Sequence, residues 1–283
     1  MIEAKKKFGQ NFLQDLNIKH KIIQSMPKTE RQLVEIGPGL GDLTQKLLEV
    51  KPLIAYEVDS DLCVYLRDKF SKDIACGRLV LNEGDVLEKF KKDSLCDREY
   101  DLVANLPYYI ATTIILKALQ DPLCKCLIVM IQKEVALKFA ATCKTKEFTS
   151  LAILASIIGS VEVLFDVPPS AFEPQPKVFS SVIKIEKHKE YFGKESTGVF
   201  NSKAEFEAFE KYLRVAFQAP RKTWIKNISS NFSKEKALSL LSEQNLSDTI
   251  RPHELSVLNH HLLFKKLQEK SDGRKTTRDS EKD

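Results

Sequence analysis

The chain of 283 residues is predicted to be an α/β protein: a doubly wound, mostly parallel sheet followed by a small all-helical C-terminal domain. Three observations carry this expectation. Short β-rich runs alternate with helical patterns across residues 32–167. One run, Leu127-Ile128-Val129-Met130-Ile131, is apolar at every position, as a strand covered on both faces must be. Beyond residue 203 only helical spacing remains.

The elements follow in order. Leu33-Val34-Glu35-Ile36 reads as a strand ending at a glycine-rich turn, and residues 43–50 as the helix after it. Leu53-Ile54-Ala55-Tyr56 is a second strand, with residues 62–70 as its helix. Leu79-Val80-Leu81 is a third, ending near Asp85. Leu102-Val103-Ala104 is a fourth, ending at Asn105, with a helix over residues 113–119. Residues 127–131 form the fifth, with a helix over 134–141. Residues 157–165 and 181–185 read as a later pair at the sheet edge. That makes seven strands within residues 1–187. Residues 188–202 are polar, carry two glycines and lack apolar periodicity, so they read as a linker. In residues 203–269, Phe206, Phe209, Leu213, Ala216 and Phe217 recur at helix spacing, and Leu255, Leu258, Leu262 and Leu267 do so again. Pro220 and Pro252 suit the first turns of new helices. Residues 270–283 are charged, lack large apolar side chains and read as a disordered tail.

Composition narrows the function classes. Hydrophobic residues make up 43% and charged residues 29%, which suits a packed core. The net charge of +5 is compatible with a polyanionic partner without requiring one. No secretory leader and no apolar run of about 18 residues stands out, so a cytoplasmic protein without a membrane span is expected. The six cysteines lack paired zinc spacing and the histidines form no HExxH-type cluster, so no metal is expected.

The chemistry is concentrated at strand ends. Glu35-Ile36-Gly37-Pro38-Gly39-Leu40-Gly41 supplies a turn in which the backbone can approach a ligand closely. The dinucleotide fingerprint would place its last glycine at Asp42. A carboxylate there disfavours a pyrophosphate at the helix N-terminus and tolerates a ligand without phosphate. Glu57, twenty residues beyond Gly37, can take both ribose hydroxyls of an adenosine. Asp85 can accept from an adenine amine. Asn105-Leu106-Pro107-Tyr108 sets a side-chain amide, a rigid backbone and an aromatic ring together at the fourth strand's carboxyl end. The amide oxygen and a neighbouring carbonyl can accept both hydrogens of a planar aromatic amine while the ring stacks on its base.

With that tetrapeptide added, nearly the whole ordered chain resembles the ribosomal RNA adenine dimethyltransferases, which use S-adenosylmethionine. Lys7-Phe8-Gly9-Gln10-Asn11-Phe12-Leu13 is similar to the family's opening motif. Phe172-Glu173-Pro174-Gln175-Pro176-Lys177-Val178 is similar to its F-x-P-x-P-x-V segment. The resemblance implies a seven-stranded Rossmann-like methyltransferase sheet. It implies S-adenosylmethionine held by Asn11, Leu13, Gly37, Gly39, Glu57, Asp85, Val86 and Asn105, without a metal. It implies target capture by Asn105, Leu106, Pro107, Tyr108 and Phe172, with Tyr108 and Phe172 sandwiching the adenine. Gly9-Gln10-Asn11, Ala216 to Thr223 and Arg251 to Ser256 resemble the small-subunit (16S) branch, which modifies two adjacent adenosines near the RNA's 3′ end. The expected partner is therefore small-subunit ribosomal RNA in a pre-30S particle, bound through Lys6, Lys7, Arg221 and Lys222 by a monomer. Two positions depart from the pattern. Pro220-Arg221 stands where paired arginines are usual, and Tyr109 stands where a small polar residue is usual. The rival readings are a macrolide-resistance-type large-subunit enzyme, an NAD-dependent oxidoreductase on the same sheet, and a non-catalytic ribosome-assembly factor.

Overall fold

A computed structural model describes residue 5, residues 9–192 and residues 198–269. In chain order the elements are β1 (Phe12–Leu13), α1 (Leu16–Gln24), β2 (Gln32–Ile36), α2 (Asp42–Val50), β3 (Leu53–Glu57), α3 (Ser60–Lys69), α4 (Ser71–Ala75), β4 (Leu79–Glu83) and α5 (Val86–Lys92). They continue with β5 (Tyr100–Asn105), α6 (Ala111–Gln120), β6 (Cys124–Gln132), α7 (Lys133–Ala140), α8 (Ser150–Ser156), β7 (Gly159–Val167), β8 (Phe172–Glu173), β9 (Ser180–Lys187), β10 (Glu190–Phe192) and β11 (Gly198–Phe200). Then follow α9 (Lys203–Ala216), α10 (Trp224–Ile228), α11 (Lys234–Glu243) and α12 (Val257–Gln268). One compact unit ends at Phe206 and a second begins at Glu207.

Among the described residues, seven strands of the first unit form one sheet in the order β4-β3-β2-β5-β6-β9-β7. β4 to β6 run parallel, whereas β9 is antiparallel to both of its neighbours. The chain steps outward from β2 through β3 to β4, then returns to the other side of β2 with β5. The crevice above β2 and β5 is thus the topological switch point, where open α/β sheets bind ligands. The middle strands bury nearly every side chain, which explains why they read as unbroken apolar runs.

Acids just past strand ends start the next helices. The Asp59 carboxylate accepts the Asp61 amide at 3.1 Å and caps α3, and Asp85 accepts the Leu87 amide at 2.8 Å and caps α5. Asp15 caps α1 through the amides of Asn17 and Ile18. The helices α1, α4, α5 and α8 add to those read from sequence, because each is short or opens on a cap rather than on a long apolar stripe.

Three sequence expectations are corrected here. Residues 188–202 are not simply a linker: β10 and β11 pair in parallel within them, and Tyr191 and Phe200 are buried against Phe206. Aromatic side chains carry this packing without any periodic pattern. The strand expected over 157–165 runs over Gly159–Val167, because α8 ends at Ser156 and Ile157 continues its last turn. Pro220 lies in the turn before α10 rather than in a helix. The Asn227 side chain ties that turn to Ala219 through both its oxygen and its nitrogen. The expected tail lies outside the described residues.

In the second unit, Phe209, Tyr212, Trp224 and Phe264 form the buried aromatic centre. The Trp224 indole donates to the Tyr212 oxygen at 3.1 Å, and that hydroxyl bonds the His260 Nδ1 at 3.0 Å. His260 Nε2 in turn donates to the Pro252 carbonyl at 2.9 Å. Every polar atom in this row has a partner, which is the condition for burying it. Burial pushes the His260 pKa down to about 4, so the ring is neutral. α12 therefore buries His260, Leu263, Phe264 and Leu267, whereas Leu258 is 76% exposed. The stripe expected from leucine spacing is displaced because a satisfied histidine belongs to the buried face.

Candidate active site

A cleft of about 190 Å³ opens at the switch point of the sheet. The end of β2 and its turn, Glu35 to Leu40, form the floor. Glu57 closes the end of β3, Asp85 and Val86 follow β4, and Asn105 to Ile110 follow β5. Gly9 to Leu13 complete the wall. Asn11, Leu13, Gly37, Gly39, Glu57, Asp85, Val86, Asn105, Leu106, Pro107 and Tyr108 are thereby brought together around one cleft.

Backbone geometry explains the turn. Gly37 and Gly39 have φ of 69° and 59°, in the left-handed region that side chains rarely adopt. A Cβ on Gly39 would lie 3.0 Å from the Phe12 ring, so the glycine lets the N-terminal segment press onto the turn. The Gly39 amide donates to Glu57 Oε2 at 3.2 Å. Glu57 Oε1 accepts the Val58 and Asp59 amides at 2.9 and 3.0 Å. Three of about four acceptor positions are occupied, and Oε2 keeps one. Burial raises the Glu57 pKa above the usual carboxylate range, against the three amides, which lower it.

Asp85 is exposed, and its Oδ1 is spent on capping α5. Its second oxygen remains available as an acceptor. Asp42 opens α2 with its carboxylate 3.7 Å from the buried Lys19 ammonium. The positive end of α2 thus already faces an acid at the cleft, which disfavours a phosphate. Two strand-end carboxylates, a glycine cradle and an acid where a pyrophosphate would sit fit an adenosine carrying a sulfonium, and not a dinucleotide.

Asn105 is held in one orientation. Its Nδ2 donates to the Asn11 carbonyl at 3.0 Å, and Asn11 Nδ2 donates to the Gly9 carbonyl at 3.3 Å. A carbonyl can only accept, so the amide nitrogen must face Asn11, and among the described residues no donor is bound to Oδ1, which is left as an acceptor. The Leu106 amide is spent on the Met130 carbonyl at 3.1 Å, which ties the loop to β6. A Cβ placed on Gly37 would be 4.0 Å from the Asn105 carbonyl oxygen, so the glycine turn after β2 and the loop after β5 lie in contact distance.

A model of the family described as "Ribosomal RNA adenine dimethylase" matches residues 1–269. This chain belongs to the ribosomal RNA adenine dimethylase family. Its members are S-adenosylmethionine-dependent methyltransferases of ribosomal RNA adenines, and the chain is such an enzyme. A relative from Campylobacter curvus, named "Ribosomal RNA small subunit methyltransferase A", is 51% identical and the match covers 97% of this chain and 96% of the relative. One of the same name from Sulfurimonas denitrificans is 49% identical over 93% and 94%. A solved dimethyladenosine transferase from Plasmodium falciparum is 26% identical with a TM-score of 0.72, over 89% of this chain and 95% of that one. The 23S rRNA methyltransferase ErmE shares the fold with a TM-score of 0.66 at 19% identity, over 92% and 100%.

Behind the cleft lining of the dimethylase lie two supporting residues without a sequence-based expectation. Ser180 is fully buried at the start of β9, and its hydroxyl bonds the Tyr108 hydroxyl at 2.6 Å. Asp59 receives the Lys5 ammonium at 2.6 Å and the Gln10 amide at 3.0 Å, pinning the N-terminal segment beside Glu57. Burial of Asp59 works against ionisation, but these bonds outweigh it and hold the carboxyl below its usual range. The signal for Asp59 was its place two residues past a strand end. Ser180 left none, because its partner is 72 residues away.

Phe172 is corrected. It is 2% exposed, pairs with Leu13 across β1 and β8, and packs in the main core with Ile18, Ile22 and Val167, outside the cleft wall. Lys6 and Lys7 lie outside the described residues. Arg221 and Lys222 are exposed in the second unit.

Proposed function

We propose that this enzyme places two methyl groups on each of two adjacent adenosines near the 3′ end of small-subunit (16S) ribosomal RNA, on pre-30S particles. The observation that carries the reading is Asn105 Oδ1, left as an acceptor by the Asn11 bond beside the glycine turn. When bound, S-adenosylmethionine supplies an electrophilic methyl on its sulfonium. Glu57 and Asp85 hold the adenosine half, with Gly37, Gly39, Asn11, Leu13 and Val86 around it. Asn105 Oδ1 and the Leu106 carbonyl accept the two hydrogens of the target amine. That arrangement favours a pyramidal nitrogen with its lone pair aimed at the methyl. Tyr108, steadied by Ser180, stacks on one face of the flipped base, which contributes about 1–3 kcal/mol. Positioning does most of the work, and water takes the proton from the product ammonium.

The relatives' names support the small subunit as substrate. Arg221 and Lys222, exposed on the all-helical unit, suit phosphate contacts, with Lys6 and Lys7 as further cations. We assign residues 1–187 to catalysis, the helical residues 203–269 to RNA binding, and a monomer in the cytoplasm as the working form. Among the described residues no helix is long and apolar enough to cross a membrane. The test is methyl incorporation from labelled S-adenosylmethionine into immature small subunits, mature small subunits and large-subunit RNA, with the products mapped by mass spectrometry. Dimethyladenosine at an adjacent pair in immature small subunits alone is expected. Modification of large-subunit RNA instead would reverse the assignment.

A further inference from the structure

Tyr109 is 60% exposed, yet it forms part of the cleft wall beside Asn11, Glu57 and Asp85. Single exposed aromatics are common and need no explanation, but this one is laid against a ligand cleft. Gly9 makes room for it. That glycine has φ of 58°, and a Cβ on it would come within 3.3 Å of Tyr109 Cδ1. The ring therefore rests on the bare backbone of the N-terminal segment. The same Gly9 carbonyl accepts Asn11 Nδ2, and Asn11 in turn holds Asn105. Burial raises the Tyr109 pKa, and the charges of Asp85 and then Glu57 raise it further. The hydroxyl thus stands in the field of the two acids assigned to the adenosine half. What is left uncovered is an aromatic surface beside those acids, and an adenosine is the group that would cover it.

We propose that Tyr109 is a cofactor-binding residue whose ring closes the outer wall of the cleft over the adenosine half of S-adenosylmethionine. The assignment rests on this cleft being the cofactor's seat. The test is calorimetric titration of the full chain with S-adenosylhomocysteine, without RNA, for the wild type, Tyr109→Phe and Tyr109→Ala. The Phe variant keeps the ring and should bind within about twofold of the wild type. The Ala variant should bind about ten-fold more weakly, the scale of one lost aromatic–base stack. In a Tyr109→Trp variant, emission beyond that of Trp224 should change on adding S-adenosylhomocysteine. This direct readout does not depend on how well the Ala variant folds. Wild-type affinity in the Ala variant would overturn the proposal. So would an unchanged cofactor affinity joined to a raised KM for RNA, which would assign the ring to the substrate. A wild-type chain that binds no S-adenosylhomocysteine would instead defeat the reading of the cleft itself.

Discussion

Replacing Glu35 by Gln should make the protein more stable, and by an amount that grows with pH. Glu35 lies buried at the cleft floor, and its Oε2 accepts the Thr44 hydroxyl at 2.7 Å. Burial pushes its pKa up to about 8, with Thr44 opposing and the neighbouring Glu57 adding to the rise. In the unfolded chain the group titrates near 4.5. Below that value both states are protonated and Glu35 contributes nothing to the pH dependence. Between the two values the unfolded chain gives up a proton that the folded one keeps, so stability falls by about 1.4 kcal/mol per pH unit. The loss is about 3 kcal/mol at pH 7 and levels off near 5 kcal/mol above pH 8. Gln keeps an acceptor for Thr44 and does not titrate. Urea unfolding should therefore show the Gln variant gaining on the wild type from pH 5 to 8. Far-UV circular dichroism suits this assay, because the sole tryptophan, Trp224, reports on the other unit. A difference between the two proteins that stays flat across that range would refute a protonated Glu35.

Three further outcomes follow from the site. Asn105→Ala removes the acceptor for the target amine and should lower kcat on the order of 10²–10³-fold, far more than it weakens S-adenosylhomocysteine binding; near-normal methylation in single-turnover assays would contradict that role. Ser180→Ala frees the Tyr108 hydroxyl and should cost about 1 kcal/mol, roughly fivefold in kcat/KM for RNA. Tyr108→Phe should do the same, and the double variant should lose no more than either alone; additive losses would show that the two hydroxyls act separately. Gly39→Ala forces a side chain into φ of 59° against Phe12 and should cost about 1–2 kcal/mol, a drop of roughly 2–8 °C in Tm, with weaker cofactor binding as the Glu57 contact opens. An unchanged melting curve and cofactor Kd would show that the turn relaxes freely.

Much of the cleft was legible because its parts are local. Gly37, Glu57, Asp85 and Asn105 each follow a short apolar run, and a parallel sheet carries all such ends to one edge. What escaped reading depends on distant partners. Asp59 looked like any loop acid until Lys5 and Gln10 reached it from 54 and 49 residues away. Asp85 proved to cap a helix as well as to face the cleft. Phe172 stands in a motif that suggests a stacking ring, yet that ring is packed in the core with Ile18, Ile22 and Val167.

The sequence by itself determined the alternation of the main sheet's strands with their longer helices, the chemistry offered at each strand end and the family. Those are set by neighbouring residues, through periodicity, capping and turn geometry. The tertiary structure alone decided which side chains face the cleft. It turned Phe172 inward, set Ser180 behind Tyr108, laid Tyr109 across Gly9 and gave His260 a place in a buried face. Exposure and orientation are properties of what packs against a residue, and those neighbours come from elsewhere in the chain.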